Sequence, residues 1–248
     1  MNFKLKKYLA ITLTLLAVAQ PAPAAPETHF RAGVAAYEAA DYAVAAQAFS
    51  DSLALQPAAG TLLNLGLAEW RRGRTGEAIL AWERSAWFDP FNSAAQKNLI
   101  YARENVPVSP PDLTWFEQTS TWLPAGFWAW ITGATLSLAM ALVTVPAFLR
   151  KRKAGWHQTI AALAFGIFIV SLAPAVGIVT RSNLGIVTEK NTSLRLTPTL
   201  AAEPVAALSP GEPVRELRRR GNYLFVHTQI GTGWVERRQI GFVIPRPE

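Results

Sequence analysis

Hydrophobic and polar positions follow three different rhythms along this 248-residue chain. Over 25–105, apolar residues recur at helical spacing, and the pattern repeats with a period of 33: Gly33 with Gly66, Tyr37 with Trp70, Ala45 with Ala78, Phe49 with Trp82, Pro57 with Pro90. A period of that length marks stacked helical hairpins. The small residues let two helices approach closely, and Phe49 and Trp82 are expected to fill the space between neighbouring hairpins. Pro57 and Pro90 stop the second helix of each pair, because proline lacks an amide donor and clashes with the preceding turn. A further helix over 93–105, where Asn98-Leu99 echoes Asn64-Leu65, is expected to cap the last apolar face.

The second rhythm has no polar beat. Segments 127–149 and 159–179 run without a charge, each long enough for a hydrocarbon core of roughly 30 Å. Trp128, Trp130 and Trp156 stand at their ends, where amphipathic rings settle. Gly133, Ser137 and Ala141, and likewise Ala162 and Gly166, fall four apart and predict the faces through which the two helices pack. A pump, channel or proton relay normally needs an ionisable residue inside the span, and neither span has one. Linker 106–126 opens with three prolines, then places Trp115, Phe116, Thr119, Trp122 and Leu123 near one helical face. That spacing suits a helix lying in a bilayer surface; an irregular aromatic linker is the alternative.

The third rhythm covers 185–248, with short alternating runs over 185–188, 193–196, 203–208, 213–217, 223–228 and 233–235. Turn residues such as Ser209-Pro210-Gly211 and Arg220-Gly221-Asn222 separate them. Short, evenly spaced strands predict a small β-barrel.

Charge changes the picture by its placement. Lys4, Lys6, Lys7, Arg150, Lys151, Arg152 and Lys153 account for the whole formal net charge of +7. Both clusters adjoin apolar runs, where positive charge sets topology, so no nucleic-acid partner is expected. Segment 1–24 reads as a signal peptide, with a basic start, a short apolar stretch and Ala22-Pro23-Ala24 before the cut; an uncleaved anchor is the alternative. Loop 150–158 is expected to stay cytoplasmic, since carrying its charges through the bilayer costs about 3 kcal/mol each. Both flanking modules then face the periplasm from the bacterial inner membrane.

The chain has no cysteine, which excludes a disulfide framework, a cysteine zinc site and a thiol nucleophile. His29, His157 and His227 fall in three separate modules, and no nucleophile–base pair, metal-ligand spacing or phosphate-cradling loop stands out. The expectation is a protein that is not an enzyme, with no cofactor and no metal.

The repeat positions of 25–105 resemble the tetratricopeptide repeat. That resemblance implies a peptide or protein bound on the concave face, where the sixth position of each first helix often points. Arg31, Asn64 and Asn98 occupy it and are the candidate partner-binding residues. An asparagine amide donates to and accepts from a peptide backbone at once; satisfying helix-end groups is the alternative role. Phe30 and Val34 depart from the family's carboxylate-clamp pattern, so an acidic C-terminal tail is not implied. Leu194-Arg195-Leu196-Thr197-Pro198, Pro210-Gly211-Glu212-Pro213-Val214, Asn222-Tyr223-Leu224-Phe225-Val226 and Gly231-Thr232-Gly233-Trp234-Val235 resemble a bacterial SH3-like domain. Trp234 is expected in the barrel core, a ligand contact being the alternative. Arg218, Arg219 and Arg220 are expected in a solvated turn, with contact to anionic lipid or wall polymer as the alternative.

Signal peptide, repeats, two spans and SH3-like domain, in that order, resemble the BatE-type proteins of the Bat aerotolerance group. The resemblance implies a non-enzymatic component working with von Willebrand factor A-type membrane proteins and a MoxR-type ATPase. The expected fold class is a multidomain membrane protein: all-α tetratricopeptide hairpins, a two-helix transmembrane hairpin (127–149 and 159–179) and a small all-β SH3-like barrel. The expected function is a membrane-anchored adaptor or scaffold. The alternative is a cell-wall-binding anchor whose SH3-like domain holds peptidoglycan.

Overall fold

A computed structural model describes residues 25–148, 155–199 and 202–244. The expected signal peptide and the basic cluster 150–153 lie outside the described residues. Five helices come first: α1 (Ala25–Glu38), α2 (Tyr42–Leu55), α3 (Ala59–Arg71), α4 (Thr75–Phe88) and α5 (Ser93–Asn105). The period of 33 is a period of contacts. A Cβ on Gly33 would stand 2.6 Å from the Phe49 ring, and one on Gly66 would stand 2.3 Å from Trp82. Each ring sits against the glycine of its own helix pair and also packs on the next helix, Phe49 with Ala68 of α3 and Trp82 with Leu99 and Ala102 of α5. The repeat continues in groups the sequence does not advertise. Ser52 Oγ donates to the Pro26 carbonyl and Ser85 Oγ to the Ala59 carbonyl, both at 2.8 Å. Ala40 and Gly73 take the left-handed conformation (φ 60° and 73°) at equivalent turns. Both second helices end two residues before their proline, at Leu55 and Phe88.

A short helix α6 (Trp115–Ser120) follows, then α7 (Ala125–Phe148) and α8 (Gly155–Arg181). The last two are long and apolar enough to cross a membrane. They pack together, but not through the expected small residues: Gly133, Ser137, Ala141, Ala162 and Gly166 are all exposed. The pair is pinned by Thr132 Oγ1 donating to Ser171 Oγ at 2.9 Å, with Ala139, Ala161 and Ala164 on covered positions. In an apolar environment two hydroxyls gain from finding each other, and this sets the rotation of the helices.

The remaining strands are β1 (Leu184–Val187), β2 (Thr192–Arg195), β3 (Pro204–Leu208), β4 (Pro213–Arg220), β5 (Tyr223–Thr228), β6 (Gly231–Glu236) and β7 (Ile240–Phe242). They form one antiparallel sheet in the order β3-β2-β6-β5-β4-β1-β7. The sheet is open, not the expected closed barrel. All seven strands feed one core, with Val187, Leu194, Leu208, Val214, Leu224, Val235 and Ile240 among its residues. The end strands β3 and β7 do not pair with each other, and β2 meets β6 through the single pair Arg195–Trp234. The three-residue β7 turns its other edge to α4, where Arg84 Nε donates to the Phe242 carbonyl at 2.9 Å.

Two expectations for this module are corrected. Alternation puts Gly233 and Val235 inside and leaves Trp234 half-buried on the outer face, its ring 5.2 Å from Phe225. Arg218, Arg219 and Arg220 are not a turn but the end of β4, paired with Phe225, Leu224 and Tyr223; Gly221-Asn222 makes the turn.

A second core joins helices and sheet. Ile79, Trp82, Leu99 and Ala102 pack in one cluster with Val108, Leu184, Ile186 and Val243. The sheet thus helps to cover the end of the helical array, and the two modules share buried apolar surface, the dominant stabilising term in folding.

Candidate functional site

The three candidate binding residues lie one each on α1, α3 and α5. Arg31 is exposed and donates from Nε to Glu27 Oε1 at 2.7 Å, one turn earlier. Asn64 and Asn98 are half-buried, and neither amide has a hydrogen-bond partner among the described residues. Aromatic rings link the last two of these helices: Trp70 of α3 lies 5.9 Å from Tyr101 of α5 and 5.7 Å from Trp82 of α4. His29, His157 and His227 stay apart on α1, α8 and β5.

The most heavily built polar cluster is elsewhere, where array, helical hairpin and sheet meet. Its centre is Glu117. Thr114 precedes α6, and its backbone N–H donates to Glu117 Oε2 at 2.9 Å, one half of a capping box. The carboxylate then turns to β4. Arg215 Nη1 donates to Oε1 at 2.7 Å and Nη2 to Oε2 at 2.9 Å, a two-point grip that fixes direction as well as distance. Arg215 Nη2 also reaches the Asp112 carbonyl at 3.0 Å. Burial alone would push the Glu117 carboxyl up; the hydrogen bonds from Arg215, Thr114 and Thr180 outweigh it and hold the pKa at about 2.

Helix α8 enters this cluster without a gap. A Cβ on Gly177 would fall 2.1 Å from the Phe116 carbonyl, so glycine is what lets α8 lie directly on α6. At its end, buried Arg181 places its guanidinium 4.7 Å from the Trp87 ring of α4, and Nη1 reaches Ser120 Oγ at 3.5 Å. Cation–ring contacts strengthen when water is excluded. Next to Trp87 in the array, Arg103 Nη2 of α5 donates to buried Glu83 Oε1 of α4. Burial pushes the Glu83 carboxyl up, against the opposing pull of Arg103 and Arg181.

A second polar groove runs between α2, α3 and α4 and is lined by Gln47, Glu69, Arg72, Arg74, Glu77 and Arg84 among others. Its charges are mostly spent internally: Glu69 pairs with Arg72 and Arg74, Glu77 with Arg74, and Arg84 with the sheet.

Sequence reasoning missed the junction. Glu117 carries a readable signal in the Thr114-x-x-Glu117 spacing, and Arg181 in being the one charge at the end of an apolar run. Nothing local marks Arg215 as the partner of Glu117, 98 residues away. No protein-family model matches the chain, and no curated protein matches it in sequence.

Proposed function

We propose that this protein is a membrane-anchored adaptor that holds a protein-binding repeat face at a fixed place beside a bilayer. The observation that carries this reading is the junction. A buried ion pair, a cation–ring contact and a shared apolar core join the repeat array, the helical hairpin and the sheet. A tether needs only a linker; three elements locked together suit a scaffold that must present its surface in one orientation.

The finer identification follows the same line. The glycine–ring seats and the repeated serine bonds support a tetratricopeptide reading of α1 to α5, with Arg31, Asn64 and Asn98 facing a bound peptide. The curled antiparallel sheet supports an SH3-like reading, in an open form. With the two apolar helices, these modules fit the Bat-type arrangement, in which the partners are von Willebrand factor A-type membrane proteins. In this reading α7 and α8 cross the inner membrane with both modules on the periplasmic side. The protein acts without catalysis.

The test is capture of partners from detergent-solubilised membranes with the full chain, beside an Asn64→Ala/Asn98→Ala variant. Loss of the same partners from the variant is the expected result. Equal recovery by both forms removes the repeat face as the binding surface.

A further inference from the structure

Beyond Arg215, which grips Glu117, the outer face of the β4–β5 hairpin is not used by the junction. β4 is antiparallel to β1, and its Arg215 pairs with Leu184, the first residue of β1. The chain reaches Leu184 directly from α8, which ends at Arg181. β4 then continues for five residues beyond Arg215, to Arg220. At a strand rise of about 3.3 Å per residue, the hairpin overhangs β1 by on the order of 15 Å, on the side from which α8 delivers the chain. A bulge between Glu216 and Arg218 bends it there and leaves Leu217 exposed.

The chemistry of this overhang is specific. Arg218, Arg219 and Arg220 are exposed, and none has an ion-pair partner among the described residues. Residues directly opposite in an antiparallel pair share a face. Arg218 faces Phe225 and Arg220 faces Tyr223, while Phe225 faces Trp234 on the next strand. One surface therefore presents arginines together with Tyr223, Phe225 and Trp234. On the block clamped to β4 by Arg215, α6 leaves Trp115 exposed, and Trp122 just after it is exposed as well. Arginine forks match phosphate oxygens, and tryptophan and tyrosine settle at headgroup depth.

We infer that the β4–β5 hairpin is a second membrane contact, seating Arg218 and Arg220 of its outer face on anionic phospholipid headgroups beside the point where α8 leaves the bilayer. The inference rests on the reading that α7 and α8 cross a membrane. Headgroups are favoured over a wall polymer by the tether: β4 is paired with β1, which follows α8 after two residues, so the lipid surface is always at hand. Each basic side chain close to an anionic surface is worth about a fivefold shift, so Arg218 and Arg220 together favour contact by roughly 25-fold.

The chain has no cysteine of its own, so a fluorophore at Asn222→Cys reports on the hairpin tip and one at Leu138→Cys on exposed α7. Full-length protein is reconstituted into phosphatidylcholine vesicles with or without phosphatidylglycerol, carrying quenchers on the headgroup or deep in the acyl chain. The expected result is headgroup quenching of the Asn222 label in anionic vesicles. It should be lost in neutral vesicles, in the Arg218→Gln/Arg219→Gln/Arg220→Gln variant, and at molar salt, where screening shortens to about 3 Å. The salt arm keeps the native side chains, so misfolding of the variant cannot imitate the result. If the Leu138 label is quenched by acyl-chain probes while the Asn222 label is not, the hairpin contact is wrong and the spanning reading stands. If neither is quenched, the spanning reading fails and takes the inference with it. Quenching that ignores lipid charge, or arginine-dependent co-sedimentation with wall sacculi in place of quenching, also overturns it.

Discussion

Removing the Arg215 guanidinium leaves Glu117 buried and short of two of its three closest donors. An unpaired buried carboxylate is costly, so Arg215→Ala should lower stability in detergent by about 3–5 kcal/mol, measured by thermal or denaturant unfolding. Glu117 sets the acid limb of stability. Its folded pKa of about 2 lies below the ordinary 4.5, so its contribution is complete above 4.5 and is lost as pH falls from there towards 2. Glu83 works with the opposite sign: burial raises its pKa, so its cost is felt as pH rises above the ordinary value. Unfolding temperature should therefore drop through the 4.5-to-2 window in the native chain and drop less in Glu117→Gln. Glycines offer a second contrast. A Cβ on Gly66 collides with Trp82, whereas one on Gly60 in the same helix meets nothing. Gly66→Ala should cost about 1–3 kcal/mol through overpacking, while Gly60→Ala should be neutral or stabilising by up to ~1 kcal/mol.

Elements were legible in the sequence where a rhythm was sustained. The 33-residue repeat located helix pairs because glycine, alanine, ring and proline recur together, and the charge-free runs located both long apolar helices. The helix–helix face was misread because spacing alone cannot choose between two small stripes. The hydroxyl pair Thr132–Ser171 decides it, and such a pair shows no period. Ala164→Leu, on the covered side, should therefore loosen the α7–α8 pair, while Gly166→Leu, on the exposed side, should leave it intact. Energy transfer between labels on the two helices separates the cases. In the sheet, strand positions were readable but closure was not: a barrel and an open curled sheet share the same alternation and differ only in whether the last edges meet. The Arg218–Arg220 stretch looked like a turn because it lacks alternation, yet cross-strand pairing with β5 carries it as strand.

At the scale of the whole molecule, the sequence suggested three modules in a row, and long-range contacts make them one body. Leu184 and Ile186 of the sheet share a core with Trp82 and Leu99 of the array, and Arg181 of α8 reaches Trp87 of α4. None of these pairings leaves a local trace, which is why the junction was not legible in the sequence. A molecule built this way should hold one geometry. The direct test is a pulsed spin-label distance between Lys97→Cys on α5 and Gln229→Cys at the β5–β6 turn, in the full chain reconstituted in lipid. The account predicts a single narrow distribution that broadens in Arg215→Ala. A broad distribution in the unaltered junction, as from modules on a flexible linker, would contradict it.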